Sequence, residues 1–345
     1  MTEVGATGAE ATEAGAVADQ AAGHPACAQP VPVGLHHRGD RIIADWADIA
    51  GTDPTLPFLA DRIARAGAVW QADLPEADGA PEPAALILHA GRCGSTLVSR
   101  GLSLLSRCHV LSEPQALNMV LSVDGRWPFL PPPDRHRALR QVVAALARAK
   151  RPDQDRFILK LSSWNALHLP LLEAAFPAVP KLFIYRQPEE ILVSLQDGPA
   201  GWMRRAANPA PASLFLGLPP SQVRRSPLAF AAQMLARSMT LVADSVMRQA
   251  SGNWLLVPYG SLPGALTTEI LPWLGLTAEP DEAAALARSA GIDAKDPAGL
   301  RPFRPDDGHK RAAVSPEVAE LARDLLCTPY ERLEGLRLLT GRIER

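Results

Sequence analysis

Residues 86–105 constrain this chain more than any other stretch. An apolar run, Leu86, Ile87 and Leu88, leads into the turn His89-Ala90-Gly91-Arg92-Cys93-Gly94-Ser95-Thr96, and an apolar helical pattern begins at Leu97. A strand that passes through a glycine-bearing turn into a helix aims consecutive backbone N–H groups and the positive helix end at one point, which makes an anion site. Phosphate or sulfate is the expected guest. The turn is not a Walker A loop, because Ser95 follows Gly94 where that motif needs lysine, and it is not GxGxxG.

Gly91-Arg92-Cys93-Gly94-Ser95-Thr96 resembles the 5′-phosphosulfate loop of sulfotransferases that use 3′-phosphoadenosine 5′-phosphosulfate (PAPS). That loop carries a basic residue, a small residue, glycine and two hydroxyl residues, matched in order by Arg92, Cys93, Gly94, Ser95 and Thr96. The family's second motif is a strand ending in Arg, followed by Pro two positions on and Ser eight positions on. Here Lys181-Leu182-Phe183-Ile184-Tyr185 leads to Arg186, Pro188 and Ser194. The chain departs from the pattern at Gln187, where Asp is common, and at Arg92, where soluble small-molecule enzymes usually have Lys. Both departures bear on the subfamily.

The resemblance spans about residues 84–311 and implies an α/β, three-layer P-loop-type fold with a mainly parallel central sheet and helices on both faces. It also implies sulfuryl transfer from PAPS to a hydroxyl or amine of a small-molecule, lipid or peptide acceptor, with no metal required. Arg92 would then steady charge on the departing phosphate, and Arg186 with Ser194 would clamp the 3′-phosphate. Residues 303–311, with Lys310 and Arg311, would close over that phosphate. Several sulfotransferases place a catalytic Glu after the second strand, where this chain has Glu113; the soluble type has a Lys-x-His segment after the third, where this chain reads Lys160-Leu161-Ser162. Glu113 is therefore the preferred base, and Lys160 or a histidine is next after it. A nucleotide-dependent kinase or phosphotransferase on the same fold, and a non-catalytic nucleotide-binding relative, stay open as alternatives.

The residues support a ligand site independently of the resemblance. In open α/β sheets ligands sit at the carboxyl ends of the strands, and the predicted strands end at the Gly91 to Thr96 loop, Glu113, Lys160, Arg186 and Tyr259. Sulfuryl transfer, like phosphoryl transfer, is mostly positioning and charge stabilisation, which calls for such groups. His89, His109 and His168 lie in or beside apolar runs at no metal-site spacing and read as structural, so no metal site is expected. Trp127, Trp164 and Trp202 read as core packing first and as walls of an acceptor pocket second.

A net charge of −2 on 345 residues argues against a nucleic-acid surface. The four cysteines, Cys27, Cys93, Cys108 and Cys327, form no CxxC and no framework spacing, which fits a reducing compartment. With neither a membrane-length apolar run nor a signal-peptide pattern at Met1-Thr2-Glu3-Val4, a soluble cytoplasmic protein is expected. The pattern does not specify an oligomeric state.

Residues 1–30 are Ala/Gly/Glu/Thr-rich and read as a disordered tail. Residues 31–80 read as an N-terminal helical layer, because Ile42, Ile43, Trp46 and Ile49 have helical spacing, and residues 81–345 as the α/β domain. Strands are predicted near 86–88, 107–112, 157–160, 181–185 and 254–259, alternating with helices. Residues 198–225, rich in Pro, Gly and Arg with Trp202 and Phe215, read as a long loop and as a lid over the acceptor.

Overall fold

The structure is a computed structural model that describes residues 28–38, 41–122, 132–249, 253–304 and 306–343. The tail expected over residues 1–30 lies almost wholly outside the described residues, as does Trp127. Two sheets organise the rest. The first is antiparallel, in the order β1 (Pro30–Arg38), β2 (Arg41–Asp48), β3 (Val69–Asp73). The second holds β4 (Ala85–His89), β5 (Cys108–Ser112), β6 (Arg156–Lys160), β7 (Lys181–Tyr185) and β8 (Trp254–Pro258), all parallel, in the order β5-β6-β4-β7-β8.

Residues 31–80 are thus not a helical layer. They form the small sheet, with one short helix at Leu59–Ile63. Ile43 and Ala44, then Trp46 and Ala47, are buried along β2. A strand sunk in a core on both faces loses its period of two, and its buried pairs then mimic a helical repeat. Val31, Leu35, Ala44, Trp46 and Ile49 join the larger core of the α/β unit, so this sheet packs as a wall of the same body.

β4, β5 and β7 are buried along their whole length, as strands covered on both faces must be. Side chains alternate between two cores: Leu86, Leu88, Phe183 and Tyr185 enter one, and Ile87, Leu182 and Ile184 the other. The first core is closed by the long helices Pro132–Arg148 and Pro227–Arg248, the second by helix Ser95–Ser103 and residues 266–290. Because β4 pairs with β6 on one side and β7 on the other, the chain leaves β4 where the strand order reverses. That crevice is where open α/β sheets bind ligands.

Residues 198–225 are not an irregular loop. They contain a 3-10 turn at Gly201–Ala207 and the helix Pro209–Leu216. Pro209 sits in the first turn, where its missing N–H costs nothing, so the proline that reads as a breaker is a helix start. Trp202 and Phe215 are buried, with ring centroids 6.1 Å apart, and both pack against Phe230 of the helix Pro227–Arg248. They are core, not a lid. Trp164 joins them at 5.7 Å from Phe215. Among the described residues no helix is long and apolar enough to cross a membrane.

Candidate active site

The turn after β4 is held by backbone geometry that side chains rarely adopt. Gly91, Arg92 and Gly94 have φ of 79°, 54° and 80°. A Cβ on Gly94 would stand 2.8 Å from Leu262 and 3.1 Å from Tyr259, so both its conformation and its surroundings demand glycine. Arg92 is one of two described non-glycine residues with positive φ. The other is Glu113, at 56°. Left-handed backbone at a side-chain-bearing residue costs free energy and collects at functional sites, and both residues line one cleft of about 320 Å³ at the carboxyl end of the sheet.

Beyond the turn, helix Ser95–Ser103 starts with no side-chain cap and no acidic residue in its first turn. Its positive end is therefore left for an anion. Ser95 and Thr96 are nearly buried at this end and line the cleft with Cys93 and Gly94. The Cys93 thiol points inward, its Sγ 3.1 Å from the Ile184 carbonyl, and burial raises its pKa to about 11. It is a packing residue. Gly91 donates its N–H to His89 Nδ1 at 3.0 Å, which leaves His89 Nε2 to donate to the Leu161 carbonyl at 2.9 Å. Burial, followed by the charge on Lys160, pushes this imidazole down to about 3. A neutral His89 thus buttresses the turn.

Glu113 follows β5 and faces this turn across the cleft. Lys160, at the end of β6 and fully buried, donates to Glu113 Oε1 at 2.5 Å; Ser162 Oγ donates to Oε2 at 3.2 Å, and His89 Nε2 stands 3.9 Å from Oε1. Burial pushes the carboxyl up, but Lys160 and the hydrogen bonds outweigh it and leave the pKa below the ordinary glutamate value. Glu113 is therefore ionised at neutral pH. The Lys160 ammonium also lies 5.1 Å from the Phe58 ring centroid, and Phe58 lines the cleft. The N-terminal layer reaches the site through that residue.

Arg92 does not reach into open space. Its Nε donates to Ser194 Oγ at 2.9 Å and its Nη2 to the Ser194 and Gly198 carbonyls at 3.0 and 3.3 Å. A Cβ on Gly198 would come within 2.6 Å of that guanidinium. The two motifs are thus joined by direct contact, through the residue expected to meet the departing phosphate and the residue expected to hold the 3′-phosphate.

Arg186, 4% exposed at the end of β7, is the hub of the opposite end. Its Nε donates to Glu190 at 2.6 Å, its Nη2 to Asp306 at 2.9 Å and its Nη1 to the Arg92 carbonyl at 3.4 Å, while its guanidinium carbon lies 3.9 Å from the Tyr259 ring centroid. Lys310 pairs with Asp306 and lines the cleft. Arg311 does not line it; its Nε pairs with the buried Glu190 at 3.0 Å, behind Arg186.

The cleft thus gathers Arg92, Cys93, Gly94, Ser95, Thr96, Glu113, Arg186, Ser194 and Lys310, with Gly91 and Lys160 immediately behind. Sequence reasoning did not single out Phe58, Lys295 or Asp306 as site residues, and gave His89 no place in the site. His89 could have been found from its position directly before the turn. Phe58 and Lys295 lie in segments without a motif, and Asp306 lies in the 303–311 loop, where only Lys310 and Arg311 stand out as anion ligands.

No family model matches the sequence, and no curated protein matches it. In structure the chain is similar to sulfotransferases. One is the sulfotransferase domain from the Synechococcus PCC 7002 olefin synthase (18% identity over 74% of this chain and 94% of that one, TM-score 0.42). Another is the sulfotransferase from Alicyclobacillus acidocaldarius (14%, 74% and 96%, TM-score 0.45). A third is a mouse sulfotransferase complexed with PAP (12%, 90% and 99%, TM-score 0.44).

Proposed function

We propose that this protein is a sulfotransferase that moves a sulfuryl group from PAPS to a hydroxyl or amine. The observation that carries the reading is convergence: an uncapped helix start behind a left-handed turn, an ionised carboxylate on a lysine, and a buried arginine on a separate strand end all line one cleft. With the proton acceptor on one side of the turn and the buried arginine on the other, the cleft suits a donor with two phosphate positions and a reacting centre between turn and base.

In this reading the acceptor oxygen or nitrogen attacks sulfur in line with the bond to the 5′-phosphate. Glu113 takes the acceptor's proton, the new bond to sulfur forms, and the sulfur–oxygen bond breaks with its electron pair left on the phosphate. Adenosine 3′,5′-bisphosphate departs. The turn's N–H groups, Ser95, Thr96 and the helix end neutralise the charge that grows on that phosphate. Lys160 keeps Glu113 ionised before the step.

The test is transfer of radiolabelled sulfur from PAPS to a panel of phenols, alcohols and amines. Labelled product that disappears in Glu113→Gln supports the reading. Wild-type protein that forms no labelled product, and releases no bisphosphate from PAPS, sinks it.

A further inference from the structure

Lys295 belongs to neither motif, yet it lines the same cleft as Arg92 and Glu113. Its backbone is part of a tightly built loop between helix Pro280–Ala290 and Phe303. Asp293 donates its N–H to the Arg301 carbonyl and Phe303 to the Gly291 carbonyl, both at 2.8 Å, and Ile292 bridges Pro302. The Asp296 carboxylate accepts from the N–H groups of Ala298, Leu300 and Arg301 at 3.1, 2.8 and 2.7 Å. Arg100, on the helix that the anion turn opens into, donates to the Asp293 and Asp296 carbonyls at 3.4 and 3.3 Å. The loop is therefore fixed to the turn's own helix, and Lys295 is carried on it.

Every other cation that lines the cleft has its charge or its donors engaged. Arg92 is on Ser194 and Gly198, Arg186 on Glu190 and Asp306, Lys310 on Asp306, and Lys160, just behind, on Glu113. Among the described residues the Lys295 ammonium has no hydrogen-bond or ion-pair partner; only its backbone N–H is used, on Asp293 Oδ1 at 2.9 Å. It lines the cleft together with Arg92 and Glu113, and the charges of Arg92, Lys160 and Glu113 all act on it. As a residue Lys295 is exposed, yet partial desolvation, then Arg92 and Lys160, hold its pKa below the ordinary lysine value while Glu113 acts upward.

We propose that Lys295 is the catalytic cation that binds the oxygens of the transferred sulfuryl group, a role that the engaged Arg92 does not fill. This rests on the PAPS reading above. In the transfer already written, the acceptor's electron pair enters sulfur while the bond to the phosphate oxygen breaks, and Lys295 donates hydrogen bonds to the non-bridging sulfuryl oxygens throughout, exchanging no proton. A charge placed there lowers the barrier because it need not reorganise.

Sulfuryl binding separates this role from phosphate binding, because adenosine 3′,5′-bisphosphate lacks the sulfuryl group. Affinities for the bisphosphate and for PAPS, with single-turnover release of labelled sulfur from PAPS, are measured in wild type, Lys295→Gln and Lys295→Arg. Lys295→Gln should leave bisphosphate affinity within about twofold, weaken PAPS binding about tenfold and slow release on the order of 10²-fold or more, the range for losing one transition-state donor. Lys295→Arg should recover part of the rate. PAPS binding and release unchanged in Lys295→Gln would overturn the assignment. Equal losses for both ligands would overturn it too, since they would move Lys295 to a phosphate. Wild-type protein that binds neither ligand would instead defeat the PAPS reading, and the role of Lys295 with it.

Discussion

Arg186 Nη2 donates to Asp306 Oδ1 at 2.9 Å, so the arginine expected to hold a ligand phosphate already holds a carboxylate of its own chain. Asp306 also pairs with Lys310. Burial pushes the Asp306 carboxyl up, but Lys310 and Arg186 outweigh it and hold the pKa low, so the carboxylate stays charged at neutral pH. An incoming phosphate must displace it or bind beside it. Asp306→Asn removes that competitor and keeps the shape, and bisphosphate affinity should rise by roughly tenfold, the scale of one charge-assisted contact. Calorimetry checks it; unchanged or weaker binding would show that Asp306 helps to build the site.

The Glu113–Lys160 pair makes a prediction about pH. A carboxylate whose pKa is depressed in the folded protein stays ionised until pH falls below the ordinary glutamate range, so the acid limb of kcat/KM should lie below that range where the fold survives. Lys160→Met removes the cation and leaves burial, which acts upward, so the limb should move to higher pH. Glu113→Gln should cost about 10² to 10⁴ in kcat with bisphosphate affinity kept. An acid limb that stays put in Lys160→Met would dissociate the base from this pair.

Trp202 belongs to a buried aromatic cluster with Phe215 and Phe230, away from the cleft. Trp202→Ala should therefore lower stability by about 3–5 kcal/mol, the usual cost of emptying a large aromatic site, while a sample kept folded at low temperature binds bisphosphate normally. Thermal and denaturant unfolding measure the first part. A variant of wild-type stability with a raised acceptor KM would restore the lid reading.

The parts of the site legible in sequence are those on strand ends. Ile87 and Leu88 before the glycine turn, and Ile184 and Tyr185 before Arg186, mark buried parallel strands, and parallel strands deliver their next residues to one edge. Glu113 and Lys160 follow by the same rule. Lys295 was not legible, because its segment reaches the cleft through tertiary contacts such as Arg100 to Asp293, which leave no local pattern; the 303–311 loop was legible through the resemblance, but the contact of its Asp306 with Arg186 was not. Nor was the contact between Arg92 and Ser194, which depends on how closely two adjacent strand ends approach. The sheet at residues 31–80 was misread because β2 is covered on both faces and shows no alternation.

On this reading the cleft takes a nucleotide carrying a 3′-phosphate. Calorimetric titration of wild type and Arg186→Ala with adenosine 3′,5′-bisphosphate and with adenosine 5′-monophosphate is the decisive measurement. Wild type should bind the bisphosphate at least about 10²-fold more tightly, as a charge-assisted, partly buried phosphate contact allows, and Arg186→Ala should erase most of the difference. Equal affinity for the two nucleotides in wild type, or a preference that survives Arg186→Ala, would contradict it.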